Sequence, residues 1–272
     1  MKHHSLKNYF IFVLLCCFTV TILAQDVNIT INATIDKRAV SPYIYGRNNT
    51  FDKPAQFYKD AGLCFARMNG GNNATKYNWR KKISSHPDWY NNVYGDNWDI
   101  PAKNVSATYP NMQLMYAFQL IGMVASSDTI NFKDWDYNHS QYWFGVGQDL
   151  AGGGVPNTTD TQNPNKALKD GDSNLYTEEW PADSTVNILD HWFGTNGLKL
   201  NKNQFVYWNM DNEPDCWNGT HNDVMKTLVS ASAFMDNYIV TAKKPALCSP
   251  ELNSAALLPQ VNGNGISGEP NQ

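Results

Sequence analysis

The sequence predicts an α/β protein built on a parallel sheet, and three observations carry that expectation. Apolar runs suited to buried strands, Leu63–Met68, Leu114–Ile121 and Phe205–Met210, are interleaved with helical patterns. The two clearest helical patterns flank the last of these runs. One starts at Asp183 or Ser184 and carries Val186, Leu189 and Phe193 on one face up to Gly194. The other starts near Asn222, repeats Val224, Leu228, Ala231, Met235, Tyr238 and Ala242 at helical spacing, and is expected to stop at Pro245. Finally, no strand is followed by the G-x-G-x-x-G turn of a dinucleotide fold, and Gly152-Gly153-Gly154 sits inside a long loop. A (β/α)8 TIM barrel therefore fits better than a doubly wound sheet.

The remaining elements follow in chain order. Lys2 and Lys7 precede an apolar run from Tyr9 to Leu23, then Ala24, which is the pattern of a secretory signal over residues 1–24. The run is shorter than the roughly 20 apolar residues a membrane span needs. A secreted, extracellular chain with no stable membrane association after cleavage is expected. Val27, Ile29, Ile31, Ala33 and Ile35 alternate with polar residues, as in a strand with one buried face. Tyr43–Gly46 reads as extended, Pro54 opens a helix through Leu63, and Leu63–Met68 runs into the polar turn Arg67-Met68-Asn69-Gly70-Gly71-Asn72. Residues 130–180, rich in Asn, Asp, Gly and Trp, read as functional loops, and Ala246–Cys248 as the start of another strand. Three cysteines outside the leader, Cys64, Cys216 and Cys248, match no metal spacing and read as small apolar residues.

Composition narrows the function. Lys and Arg number 21 against 25 Asp and Glu, a net charge of −4, so the basic surplus of a nucleic-acid binder is missing. Aromatic residues make up 13%, with 9 Trp and 14 Tyr, which excludes a disordered chain. Flat rings together with many amides suit a neutral, hydroxylated ligand such as a sugar.

The segment Phe205-Val-Tyr-Trp-Asn-Met-Asp-Asn-Glu-Pro214 is the most informative one. An apolar strand delivers Asp211, Asn212 and Glu213 at its carboxyl end, where barrel enzymes place their chemistry. With Trp208 and Trp217 around it, Glu213 is expected to be partly desolvated, which favours its neutral form and suits a general acid. A Glu213 that merely caps the next turn accounts for the spacing as well.

Several blocks resemble glycoside hydrolase family 44, the endoglucanases and xyloglucanases. They are Asn209–Asp215 with Gly219-Thr220-His221, Lys76–Trp79, Ser84–Tyr90, Ala117–Gly122, Leu150–Gly154 and Ile188–Gly194, all in order. The resemblance implies a (β/α)8 barrel hydrolysing internal bonds of β-1,4-glucans with retention, and Glu213 as acid/base on the fourth barrel strand. It further implies that Asn212 bonds the sugar 2-hydroxyl and that Arg67 orients carboxylates below the site. Tyr77 and Trp79 become candidate sugar platforms, and His221 either bonds a sugar or caps a helix. No cofactor is required. Asp170, Asp172 and Asp183 form an acidic group that would suit a structural Ca²⁺, although a solvated loop explains them equally.

The chain also departs from that pattern. A retaining mechanism needs two carboxyl groups roughly 5–5.5 Å apart, and the family's second glutamate lies on the seventh strand, whereas this sequence ends just past the fifth. Glu251 and Glu269 match no nucleophile motif. The expectation is a barrel truncated after about the fifth strand over residues 41–272, preceded over residues 25–40 by one strand of an accessory β-sandwich, and inactive alone. The partner is a polysaccharide such as β-1,4-glucan or xyloglucan, and the chain is expected to be a monomer. The alternative is a non-catalytic carbohydrate-binding protein or an inactive fragment.

Overall fold

The computed structural model describes residues 29–32, 34–48, 51–86, 92–131, 149–157, 159, 166–248 and 257–258. They fall into two units, residues 1–40 and 41–272. In the first unit no strand forms among the described residues. Asn32 Oδ1 instead accepts from the backbone N–H and hydroxyl of Thr34, at 3.0 and 2.6 Å, and folds the chain into a turn. Ile29, Ile31 and Ile35 stay exposed. The described part of the expected strand, residues 29–32 and 34–35, is therefore not a strand: alternation supplies an apolar face, but a strand also needs a neighbour to take its backbone hydrogen bonds, and an Asx turn takes that of Thr34. The leader predicted for residues 1–24 lies outside the described residues.

Among the described residues the second unit holds nine strands: β1 (Gly46–Asn48), β2 (Phe65–Arg67), β3 (Ile83–His86), β4 (Asn92–Gly95), β5 (Gln113–Phe118), β6 (Met123–Ala125), β7 (Thr177–Glu179), β8 (Tyr207–Met210) and β9 (Leu257–Leu258). β1, β2, β5, β8 and β9 form one sheet in that order, every pair parallel. Asn48, Arg67 and Met115 stand level across three strands, and Phe118 stands beside Met210. A doubly wound sheet reverses its strand order at a switch point. Here each parallel strand joins the same growing edge, the order in which a barrel wall is laid down. β3–β4 and β6–β7 are separate antiparallel pairs that sequence periodicity did not reveal. Three- and four-residue strands are too short to show a period of two.

Helices cover the sheet: α1 (Ala55–Asp60), α2 (Asn72–Thr75), α3 (Asp99–Thr108), α4 (Ala182–Val186), α5 (Ile188–Phe193), α6 (Trp217–Thr220) and α7 (Ala231–Cys248). α1 stops earlier than expected because Gly62, at φ 66°, closes it. The Gly62 N–H reaches the Lys59 carbonyl and the Leu63 N–H the Tyr58 carbonyl, a Schellman pair. The helix expected from Asn222 starts instead at Ala231, where Ser230 Oγ accepts from the Ala233 N–H at 3.2 Å. Val224 and Leu228 belong to the preceding turns and still pack on the core, which is why their spacing extended the pattern. α7 also runs through Pro245 to Cys248, so neither the stop at Pro245 nor a strand over Ala246–Cys248 is observed.

The core is aromatic. Phe118 stacks on Trp208 with centroids 4.5 Å apart, and Tyr116 meets Trp192 edge-on at 4.7 Å. Trp98, Trp192, Trp208 and Trp217 are all fully buried. Much of the aromatic content that suggested sugar platforms is thus spent on packing, where large rings bury the most area per residue.

A second buried feature is ionic. Lys76, at the end of α2, has a side chain with no exposure and pairs with Asp223 Oδ2, which also accepts from the Tyr176 hydroxyl at 2.6 Å. Asn222 Nδ2 donates to Asp149 Oδ2 at 2.9 Å beside it. Burial, with the charges of Asp223 and Asp170, pushes the Asp149 carboxyl up to about 7. The folded state then keeps a proton that the unfolded chain releases near its ordinary value of 3.8. Stability from this group is complete below about pH 4 and is lost as pH rises through about 7. Asp149→Asn is expected to stabilise the chain by about 2–4 kcal/mol near pH 8 and to leave it unchanged near pH 4. Urea unfolding at the two pH values measures this; an equal effect at both would sink it.

Candidate active site

β8 buries Trp208, Asn209 and Met210 and then leaves the sheet abruptly. Asp211 (φ 67°) and Glu213 (φ 44°) both take left-handed backbone, and Pro214 opens a 3₁₀ turn to Cys216. For residues with a Cβ that conformation costs about 1–2 kcal/mol each. Two such residues within three positions mark a place where geometry is imposed, and such strain concentrates at functional sites.

The turn sends its two carboxylates to different environments. Asp211 is fully buried and accepts from Thr75 Oγ1 (2.6 Å), the Leu120 N–H (2.6 Å) and the Asn212 N–H (2.8 Å). Burial raises its carboxyl to about 6 against the lowering effect of those bonds. With both oxygens engaged, Asp211 is a brace between α2, the end of β5 and the β8 turn. Glu213 remains partly accessible, and its Oε2 accepts from Asn212 Nδ2 at 3.2 Å.

Asn212, nearly buried, is the hub of the cluster. Its Oδ1 accepts from Arg67 Nη2 at 3.1 Å, and its Nδ2 also donates to Asn72 Oδ1 at 2.9 Å. Its carbonyl accepts from Trp217 Nε1 at 2.9 Å. Burial pulls the Arg67 guanidinium below its ordinary value, and the charge of Glu213 offsets part of that. Arg67, Asn212 and Glu213 are therefore brought together at the carboxyl ends of β2 and β8, one cation and one amide beside one accessible carboxylate.

Gly70 makes this possible. A Cβ built there would stand 2.5 Å from both Cζ and Nη2 of Arg67. Gly70→Ala is expected to leave the thermal midpoint nearly unchanged, because the guanidinium is a flexible end and moves aside. Its bond to Asn212 is then lost, and a reaction that depends on Glu213 should slow roughly 10–100-fold. Paired melting and activity measurements check this; full activity would show that the position of Arg67 does not matter. An open cleft of about 510 Å³ borders the same turn, lined in part by Asn69, Gly70, Asn73, Phe51, Tyr94 and Asp96.

The other predicted residues lie elsewhere. Tyr77 is fully buried, stacked on Trp98 at 3.8 Å, with its hydroxyl accepting from the Trp98 N–H at 3.2 Å, so it presents no face to a sugar. Trp79 donates from Nε1 to the Ser184 carbonyl at 2.7 Å and stacks on His191 at 5.2 Å. His221 is completely buried at the end of α6. Trp208 and Trp217 point into the packing behind Glu213. Trp208 lies on Phe118, and Trp217 meets Phe234 edge-on. The acidic residues do not converge: Asp172 caps a 3₁₀ turn through the Asn174 N–H, and Asp183 pairs with Lys244. Among the described residues no group of three or more His, Cys, Asp or Glu is placed to hold a metal. Cys64 and Cys216 are half-buried thiols, and Glu251 and Glu269 lie outside the described residues. Gly70, Asn72 and Thr75 escaped the sequence reading, although the Asn69–Asn72 turn after an apolar strand was their signal.

These observations define an α/β protein with an acid–amide–arginine site at the carboxyl edge of a parallel sheet. The chain belongs to glycoside hydrolase family 44, whose sequence profile matches residues 36–256. It is 24% identical over 233 residues to the beta-mannanase/endoglucanase A of Caldicellulosiruptor saccharolyticus, covering 80% of this chain and 16% of that protein. Its fold is similar to that of CelM2, a bifunctional glucanase-xylanase from a metagenome library. The TM-score is 0.56 and the identity 19%, over 82% of this chain and 42% of that one. A Paenibacillus polymyxa xyloglucanase of the same family is 18% identical over 82% of this chain and 41% of its own, with a TM-score of 0.49. The chain thus spans less than half the length of these relatives. Among the described residues no helix is long and apolar enough to cross a membrane.

Proposed function

We propose that the chain carries the acid/base portion of a secreted endo-β-1,4-glucanase that works with retention, with Glu213 as the proton donor and acceptor. The observation that supports this best is the Arg67–Asn212–Glu213 cluster at the carboxyl rim of the sheet, held by two left-handed residues and braced by Asp211. Family membership supports the same reading. In it, Glu213 protonates the glycosidic oxygen as the bond to the sugar breaks and later takes a proton from the attacking water. Asn212 turns to the sugar 2-hydroxyl the amide hydrogen it otherwise gives Glu213 Oε2, and Arg67 holds the Asn212 amide in place. The glycan lies in the cleft beside Gly70, where neutral amides and the rings of Phe51 and Tyr94 suit hydroxyls and C–H faces. The wall is a (β/α)8 barrel of which this chain supplies five strands, and the nucleophile comes from a later strand of the full-length protein.

The substrate class is a plant cell-wall β-glucan, xyloglucan included. Release of reducing ends from xyloglucan and carboxymethyl-cellulose by the full-length protein tests the reading. A Glu213→Gln variant as active as its parent would remove Glu213 from the mechanism.

A further inference from the structure

The cleft of about 510 Å³ beside Gly70 is walled by amides, rings and aliphatic groups, and among its described lining residues Asp96 alone carries a charge. Asp96 follows directly on β4, where its backbone N–H donates to the Lys82 carbonyl at 2.8 Å. Its Oδ2 accepts from Trp98 Nε1 at 2.9 Å, and that indole is fully buried and stacked on Tyr77 at 3.8 Å. The carboxylate is thus held in one orientation by a rigid support. Its Oδ1 takes no hydrogen bond from the described residues and is not sealed from solvent, for the residue is only half-buried.

The charge is not compensated by a neighbouring cation. Lys82, which supplies that carbonyl, sends its ammonium to Asp99 Oδ2 at 2.8 Å, where His191 joins it at 2.9 Å. Burial accordingly holds the Asp96 carboxyl above its ordinary value. An indole N–H needs only a neutral acceptor, so packing on Trp98 does not by itself call for a carboxylate. Partial desolvation of an unpaired charge costs stability, and such a group in a cleft is a signature of a functional position. A donor brought by a ligand supplies what the protein leaves out. The amides of Asn69, Asn73 and Asn104 and the rings of Phe51 and Tyr94 share the wall, so that donor is a hydroxyl on a neutral sugar ring.

We propose, resting on the reading that a glycan lies in this cleft, that Asp96 is a substrate-binding residue whose Oδ1 accepts from a sugar hydroxyl. Glu213 does not line the cleft, so the unit held by Asp96 is not the one at which the bond breaks. The test is a cellotetraose titration of the isotope-labelled chain that follows two signals. One is the Trp98 indole N–H, assigned by its loss in Trp98→Phe, and the other is the Gly70 backbone amide. Both are expected to move along one saturation curve. Asp96→Asn keeps an oxygen for the Trp98 indole and turns its NH2 group outward, so the thermal midpoint should hold while affinity falls about tenfold. Movement of Gly70 without Trp98, or unchanged affinity in Asp96→Asn, overturns the proposal and leaves the glycan in the cleft. No movement of either signal up to the solubility limit of cellotetraose overturns both. A midpoint that falls together with affinity makes Asp96 a folding residue and overturns the proposal as well. None of these results depends on turnover, so the role of Glu213 stands or falls separately.

Discussion

On the proposed reading, Glu213→Gln in the full-length protein is expected to lower hydrolysis of xyloglucan and carboxymethyl-cellulose by roughly 10²–10⁴-fold, the usual worth of a positioned general acid or base. The substitution keeps the side chain's shape, and the Gln carbonyl can still accept from Asn212 Nδ2, which now bonds Glu213 Oε2 at 3.2 Å. What disappears is the exchangeable proton and the charge beside Arg67. The thermal midpoint should change little, because the brace of the turn is Asp211. An aryl glycoside with a good leaving group separates the roles further. Its phenolate departs without protonation, so bond cleavage should survive the substitution while release of the sugar by water slows. A uniform loss on both substrates, accompanied by a lower midpoint, would recast Glu213 as a structural residue.

Legibility in the sequence followed the range of the interactions. The run Phe205–Met210, ending in three polar residues and Pro214, announced both a buried strand and the place where its chemistry emerges. Neighbouring residues decide both, so the reading needed no distant partner. The left-handed backbone at Asp211 and Glu213 left no trace, since a polar triplet before proline reads as an ordinary turn. Tyr77 was misjudged for a different reason. It follows a polar glycine-rich turn, where no periodicity distinguishes a ring facing solvent from one covered by Trp98 arriving from elsewhere in the chain. Arg67 was reached only through the family resemblance, because its partner Asn212 lies 145 residues away. Lys76 is the extreme case. A lysine beside polar residues reads as solvated, yet it has no exposure at all, because Asp223, 147 residues downstream, closes over it.

That pair carries the largest stability effect to be expected. Lys76→Met keeps most of the buried stem and removes the ammonium group, leaving Asp223 in a site where its side chain is 1% exposed. The Tyr176 hydroxyl still donates to it at 2.6 Å, but one neutral bond does not replace a cation. Breaking one side of a buried pair costs about 3–5 kcal/mol, a third or more of the roughly 5–15 kcal/mol that holds a typical domain together. Urea unfolding of the 272-residue chain should show the midpoint falling accordingly, with the slope unchanged. The double variant Lys76→Met with Asp223→Asn should recover most of the loss, since the stranded charge goes with its partner. Additive losses in the double variant would mean that each side chain matters through packing instead. The location gives the pair a second consequence. Lys76 follows directly on α2, whose Thr75 holds Asp211, and Asp223 sits in the turns that lead away from Glu213. A weakened pair should therefore loosen the brace under Glu213, and in the full-length protein Lys76→Met should lower hydrolysis as well as stability, with both recovered together in the double variant.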